Sequence, residues 1–507
     1  MLHWTSGQCA DYTACVKIIV VLLALTTVPL ILPVLLSKLA GARRLALAVT
    51  VVALVKVFDV NLANHAYYRG MSRSFDVGTV DIWLLCLVVF HVIQVRYSGF
   101  RWTPPQRPGL VSPVTGIIPG IPLYGAFLLI AALSIFGSKE PLFGWMDFSK
   151  LFRGVLLMWA VANLVRDDRL AESVPLYLLL FVIPQELVAA SQHLQGVYWV
   201  PGTFTHKNSF AMSMNLILPV ILAQALNGNR FRWFSLLAYG GGCIAVILSR
   251  SRTGWVMMAL GAALVIVVSV GLALAKNNRR LLRFQGIVLL LMATASLPVL
   301  AVSADGILGR MDEDRVASMN FRNINNEIAD KLAEENVLGV GLNNYVRELK
   351  EPVAAKLQVL DHTVVHHAYK LVAAELGYIG LAMWLMAMGG LWVIGLATLR
   401  NAQKTGPRIV TLGILVGMAT GQIHSLMESD ILRRETYFIF MALAGLLVAM
   451  NQREGLGGIP GTIRRFRSKV RWLASQVSEK PSIPSVSPPG SRYGLTPKRD
   501  ITGIERP

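Results

Sequence analysis

The sequence predicts an all-α, polytopic membrane protein with about twelve to fourteen transmembrane helices and one large helical loop outside the bilayer. Three observations carry this expectation. The 507-residue chain is 54% hydrophobic and only 15% charged, far more apolar than an ordinary soluble domain. Apolar stretches of spanning length recur from the N-terminus to residue 450, where a barrel would show short alternating segments instead. The longest polar interruption before the C-terminal tail lies between residues 305 and 367.

The expected spans are 16–37, 44–64, 76–96, 118–136, 149–165, 172–192, 209–226, 233–249, 254–275, 284–304, 368–399, 409–427 and 436–450. The first follows a polar leader containing Asp11 and lacks a basic n-region, so it reads as a retained helix rather than a cleaved signal. Lys56 and Asp59, three apart in the second, are expected to pair with each other. Glu186 lies beside Pro184 in the sixth, either a functional acid or a neutral one hydrogen-bonded to a neighbouring helix. Four cysteines are too few for a disulfide scaffold. Cys86 and Cys243 lie in apolar runs, and Cys9 and Cys15 pair only if the N-terminus is outside.

In the long loop, Phe321, Ile324, Ile328 and Leu332 recur at helical spacing after Ser318, a residue able to cap, which predicts an amphipathic helix over 319–335. "GVGLNNY" then gives a glycine turn, with a second helix from Asn343 to about 357. Gly339 and Gly341 are not a dinucleotide fingerprint, since no strand precedes them and no third glycine follows.

A formal net charge of +19 raises the question of nucleic acid, but the basic residues are spread over short loops and the tail. Membrane orientation accounts for them, and no nucleic-acid partner is expected. The tail segment "TIRRFRSKVRW" belongs in the cytoplasm. Counting back, the loops Lys38–Arg44, Arg96–Arg107, Arg166–Arg169, Arg230–Arg232, Lys276–Arg283 and Arg400–Arg408 fall on the same side, and all are basic. The N-terminus is then outside.

Five outer segments break this rule: "YYRGMSRSF" (Arg69, Arg73), "THKN" (His206, Lys207), "SRSRTGW" (Arg250, Arg252), the long loop, and "DILRRET" (Arg433, Arg434). Cations placed against the topological rule suggest an anion-binding vestibule built from several loops, or else local pairing with acids and lipid phosphates. Glu428, Asp430, Arg433 and Arg434, at the last outer turn, either hold a substrate or pair among themselves.

The stretch "HTVVHHAYKLVAAELGYIG" puts His362, His366 and His367 at this same surface, level with Arg250 and Arg252. Guanidinium neutralises phosphate bidentately and a neutral imidazole accepts a proton near pH 7, so the combination points to chemistry on an anionic lipid headgroup. A metal site at the three histidines lacks an acidic or cysteine partner at suitable spacing.

Four stretches taken together resemble the O-antigen ligase and polymerase superfamily of bacterial envelope enzymes, over roughly residues 150 to 450. They are "PGTFTHKN", with Gly202 and Asn208; "LSRSRTGW", with Arg252 after Ser251; "FRNINNEIADKLAEENVLGVGLNNY", with Arg322, Gly339 and Gly341; and the histidine stretch, in which His366, His367, nine residues, Gly377 and Gly380 fit the ligase spacing. "YYRGMSRSFDVGTVDIWLL" is also similar to the exopolysaccharide-associated branch of such proteins.

The resemblance implies a metal-independent glycan transferase without a cofactor, moving a glycan from an undecaprenyl-diphosphate carrier to an acceptor hydroxyl on a glycan, lipid or protein. It implies His366 as general base, Arg252 and Arg322 as diphosphate-binding catalytic groups, and Arg250, His367, Asn208, Lys207, Gly339 and Gly341 as substrate-binding residues. The expected organisation is an N-terminal helical region over 1–148, a ligase-like region over 149–450 that includes loop 305–367, and a basic, disordered cytoplasmic tail over 451–507. The expected location is the bacterial inner membrane, with the active site on the periplasmic face and with membrane lipids and envelope polysaccharide assembly proteins as partners. A flippase or other transporter is the competing class, but no internal repeat is visible and the charged features cluster at one surface. A non-catalytic assembly subunit would tolerate loss of the histidines.

Overall fold

Apolar runs rich in Leu, Val and Ala leave the backbone only one way to satisfy its polar groups in lipid, which is helix, and the chain is helical almost throughout. A computed structural model describes residues 6–55, 59–62, 68–98, 121–165, 168–228, 231–308, 315–349 and 364–453. Among the described residues there are fifteen α-helices. They are α1 (Ser6–Ser37), α2 (Ala42–Leu54), α3 (Thr79–Ser98), α4 (Ile121–Phe136), α5 (Pro141–Leu164), α6 (Asp168–Leu194), α7 (Lys207–Asn227), α8 (Arg232–Leu248), α9 (Arg252–Ala275), α10 (Arg279–Leu308), α11 (Arg315–Glu335), α12 (Tyr345–Glu348), α13 (Ala368–Asn401), α14 (Thr405–His424) and α15 (Arg434–Arg453). The side chains of Cys9 and Cys15, together with Lys56, His362 and the tail from 454 onward, lie outside the described residues.

Five segments are long and apolar enough to cross a membrane: Arg169–Leu194, Lys207–Asn227, Arg252–Ala275, Ala368–Asn401 and Arg434–Gln452. Shorter apolar helices stand beside them at Leu23–Ser37, Thr79–Gln94, Pro122–Phe136 and Arg232–Leu248. Large apolar side chains are exposed along these helices, such as Leu129, Leu237 and Val267, as a lipid-facing surface requires. The molecule is an all-α polytopic membrane protein.

Helix α7 is the axis of the fold. Every residue from Ser209 to Leu226 is buried, between α6, α8, α9, α14 and α15. Its closest neighbour is α14, whose Gly413, Gly417 and Gly421 follow one another at four-residue spacing. A Cβ at Gly413 would lie 2.3 Å from the Val220 Cα, and one at Gly417 would lie 2.3 Å from the Leu216 carbonyl oxygen. The stripe therefore lets two backbones touch, the usual way of binding helices where lipid offers no hydrophobic driving force.

The second expected span is corrected. Helix α2 ends at Leu54, and Asp59–Leu62 (β1) pairs antiparallel with Phe75–Gly78 (β2) in a short hairpin. The continuous apolar run carries no period that separates helix from strand, and the hairpin register sets Asp59 opposite Gly78 and Leu62 opposite Phe75. Asp59 binds Arg434 at 2.9 Å, while Lys56, its expected partner, lies outside the described residues. In the long loop, α11 begins at Arg315, which places Ser318 inside the helix rather than at its cap. Within the described residues the second loop helix is only the four-residue α12.

Helix α13 is interrupted at Gly377, whose φ of 67° and ψ of 178° are non-helical. There the preceding loop lies backbone to backbone against it: the Val340 N–H donates to the Ala374 carbonyl and the Gly341 N–H to the Glu375 carbonyl, both at 2.9 Å. Cβ atoms at Gly377 and Gly339 would fall 2.0 Å from the Val337 oxygen and 2.3 Å from the Glu375 oxygen. Glu375 fastens the same join, accepting from the Asn343 N–H at 2.9 Å.

Candidate active site

Five segments far apart in sequence deliver polar side chains to one cavity of about 790 Å³. They are the start of α7, the turn between α8 and α9, α11, the start of α13, and the turn between α14 and α15. Each is positioned by a local device. His206 caps α7, its Nδ1 accepting the Asn208 N–H at 3.3 Å. Ser251 caps α9, its Oγ accepting from the Gly254 N–H at 3.2 Å. Arg250, just before it, has a left-handed φ of 54°, uncommon for a branched-out side chain and a mark of a turn held in place by its surroundings. Gly202, also left-handed, is gripped by Gln192, whose amide group exchanges two hydrogen bonds with the Gly202 backbone.

The charge balance of the cavity is lopsided. Lys207, Arg250, Arg252 and Arg322 line it with a single carboxylate, Glu428. Arg250 stacks 3.9 Å over the Tyr198 ring and Lys207 lies 4.6 Å over Trp199. Arg252 has no carboxylate partner among the described residues.

Glu428 is the hub. It is 3% exposed and accepts hydrogen bonds from Arg322 Nη2 at 2.7 Å and Asn208 Nδ2 at 2.9 Å, while its other oxygen lies 2.8 Å from His366 Nδ1. Burial alone would raise its pKa, but the His366 hydrogen bond and the charges of His366 and Arg322 outweigh burial and hold it below the ordinary carboxylate range. An ionised carboxylate only accepts, so Nδ1 of His366 carries the hydrogen, and in the neutral ring Nε2 keeps its lone pair.

The neighbouring imidazole does something else. His367 caps α13, its Nδ1 accepting the Lys370 N–H at 3.3 Å. Burial, and then Lys370, lower its pKa, which keeps it neutral and able to accept. Burial likewise lowers the pKa of His206, with Arg433 adding to it and Asp430 opposing.

His366, Arg252, Arg322, Arg250, Lys207 and Asn208, expected together at a site, all line the cavity. His367, Gly339 and Gly341 do not: the histidine is a cap and the two glycines form the seam beneath α13. The outer cations do not all converge either. Arg434 is bound by Asp59 and Asp81 at 2.9 Å each, and Arg433 by Asp430. Arg73 sits apart, its pKa lowered by burial and by Arg433 and Arg69 beside it. The vestibule thus draws on three of the five exceptional segments. Its hub, Glu428, gave no sequence signal of its own role, because its partners lie 62, 106 and 220 residues away.

Residues 234–385 match the family model described as O-antigen ligase. This similarity to O-antigen ligases covers under a third of the chain. The matched segment carries Arg250, Arg252, Arg322, His366 and the three glycines of the α13 seam, whereas Lys207, Asn208 and Glu428 come from outside it. No curated protein sequence matches the chain. The chain is a multi-pass membrane protein carrying a segment similar to O-antigen ligases, which supports ligase- or polymerase-type function.

Proposed function

We propose that the cavity transfers a glycan from an undecaprenyl-diphosphate carrier to an acceptor hydroxyl, by a single displacement at the anomeric carbon. The reading rests on the His366–Glu428 hydrogen bond set among Lys207, Arg250, Arg252 and Arg322, with Glu428 the one carboxylate lining the cavity. In this mechanism Nε2 of His366 takes the proton of the acceptor hydroxyl as its oxygen bonds to the anomeric carbon. The bond from that carbon to the diphosphate oxygen breaks, and the leaving group departs with the electron pair. Arg252 and Arg322 receive its charge, in the manner of a preorganised oxyanion site. Glu428 holds the tautomer of His366 and steadies the imidazolium, and the attack from the face opposite the diphosphate inverts the anomeric centre. The diphosphate is already an activated leaving group once neutralised, so the step is metal-independent. The cavity faces the periplasm, with the chain in the inner membrane and its C-terminus in the cytoplasm, a placement supported by the basic loops at the other end of the helices.

The test is transfer by the purified protein in detergent, from an undecaprenyl-diphosphate oligosaccharide to a panel of glycan, lipid and protein acceptors. Wild type transfers with EDTA present, and His366→Ala and Arg252→Ala each lose about a hundredfold or more in rate. The acceptor that works separates polymerase from ligase. Full activity of His366→Ala, or movement of the lipid across liposomes without transfer, would overturn the reading.

A further inference from the structure

A second cavity, of about 740 Å³, lies at the other end of the same helices. α7 and α9 start at the candidate active site and end here, at Asn227 and near Lys276, so the rise of α7 puts the two cavities about 30 Å apart. Three loops expected on one membrane face meet at it and supply Arg232, Lys276, Arg280 and Arg408, and no carboxylate lines it. Among the described residues none of these four cations forms an ion pair. Arg232 lies 4.4 Å over the Phe284 ring. Arg408 gives one hydrogen bond to the Ala402 carbonyl, but its Nε is buried without an acceptor, which is costly unless a ligand supplies one. The nearest acid along α14, Glu172 against Gly406, is not part of the lining.

Helix ends add to the field. α8, α10 and α14 all begin at this rim, and the starts of α8 and α14 have no side-chain cap, so free N–H groups and positive dipole ends face the same region. Trp233, Leu281 and Leu412 form an apolar flank.

We propose that this cavity binds a phosphate-bearing ligand, on the membrane face opposite the transfer site. Arginine forks and a lysine around an orphaned donor suit the oxygens of a phosphate group, and the apolar flank suits the glycerol and acyl portion of an anionic phospholipid seated between helices. Free inorganic phosphate offers the same oxygens without that flank.

Native mass spectrometry of the full-length protein, with phosphatidylglycerol, phosphatidylcholine or inorganic phosphate added, decides the matter. Wild type retains one phosphatidylglycerol in preference to phosphatidylcholine, and Lys276→Gln/Arg280→Gln weakens that retention tenfold or more. Both positions are exposed, and glycan transfer by the variant reports that it is folded. If inorganic phosphate alone raises the thermal midpoint of wild type and not of the variant, the site stands and its ligand is free phosphate. Equal retention of phosphatidylglycerol by both proteins, or no preference over phosphatidylcholine with no response to phosphate, overturns the proposal.

Discussion

At the scale of single residues, His366 and His367 are adjacent in sequence and opposite in use. One lines the cavity against Glu428 and the other caps α13. His367→Asn, which preserves a capping acceptor, is expected to keep both stability and transfer, whereas His367→Leu loses about 1 kcal/mol in detergent unfolding and leaves residual transfer well above that of His366→Ala. Glu428 gives a pH dependence with a definite sign. Its folded pKa is held low, so its contribution is complete above the unfolded carboxylate value of about 4.3 and is lost as pH falls through the folded value. Glu428→Gln is expected to flatten the acid limb of stability, to cost on the order of 1–2 kcal/mol at pH 7, and to lower kcat at least tenfold. Unfolding and rates measured across pH test this.

At the scale of elements, the seam under α13 makes a sharp comparison within one helix. Gly377→Ala is expected to cost more than about 2 kcal/mol, because a side chain there meets both a left-handed backbone and the Val337 oxygen. Gly389→Ala, where nothing lies within 4 Å, is expected to change thermal stability by less than about 1 kcal/mol, in the stabilising direction. This seam also shows what was legible in the sequence. Gly339, Gly341 and Gly377 were visible as a pattern, and the periodicity of α11 located that helix. That the glycines lie in a backbone seam away from the cavity lining was not visible, since backbone approach leaves no chemical mark on the neighbouring residues. Residues 44–64 misled for a related reason. A continuous apolar run has no period, and only tertiary partners such as Arg434 choose between helix and strand. The stripe of Gly413, Gly417 and Gly421 was a readable signal of helix contact and was passed over.

For the whole molecule, the two cavities define a polarity along the helices. In a protein otherwise free of cysteine, Gln195→Cys in the loop before α7 is expected to react with a membrane-impermeant maleimide in cells with an opened outer membrane. Asn278→Cys is expected to react only after the inner membrane is breached. Labelling of both from the outside would invert the topology read from the basic loops. Composition was enough to read the membrane class, because it acts over entire helices. The cavity could be read only in part, because the partners of Glu428 lie 62, 106 and 220 residues away in sequence.

The burial of α7 has a consequence for how the protein is made. Asn215, Ser209 and Ser213 lie within it and find side-chain partners at Gly254, Asp430 and Thr436, all later in the chain. The ribosome finishes α7 long before it reaches α14 and α15, so the newborn segment waits in the translocon or against α6 with its polar groups unmet. Biogenesis is therefore closed from the C-terminal end, and a chain released before residue 405 has lost more than its edge: its centre has no walls.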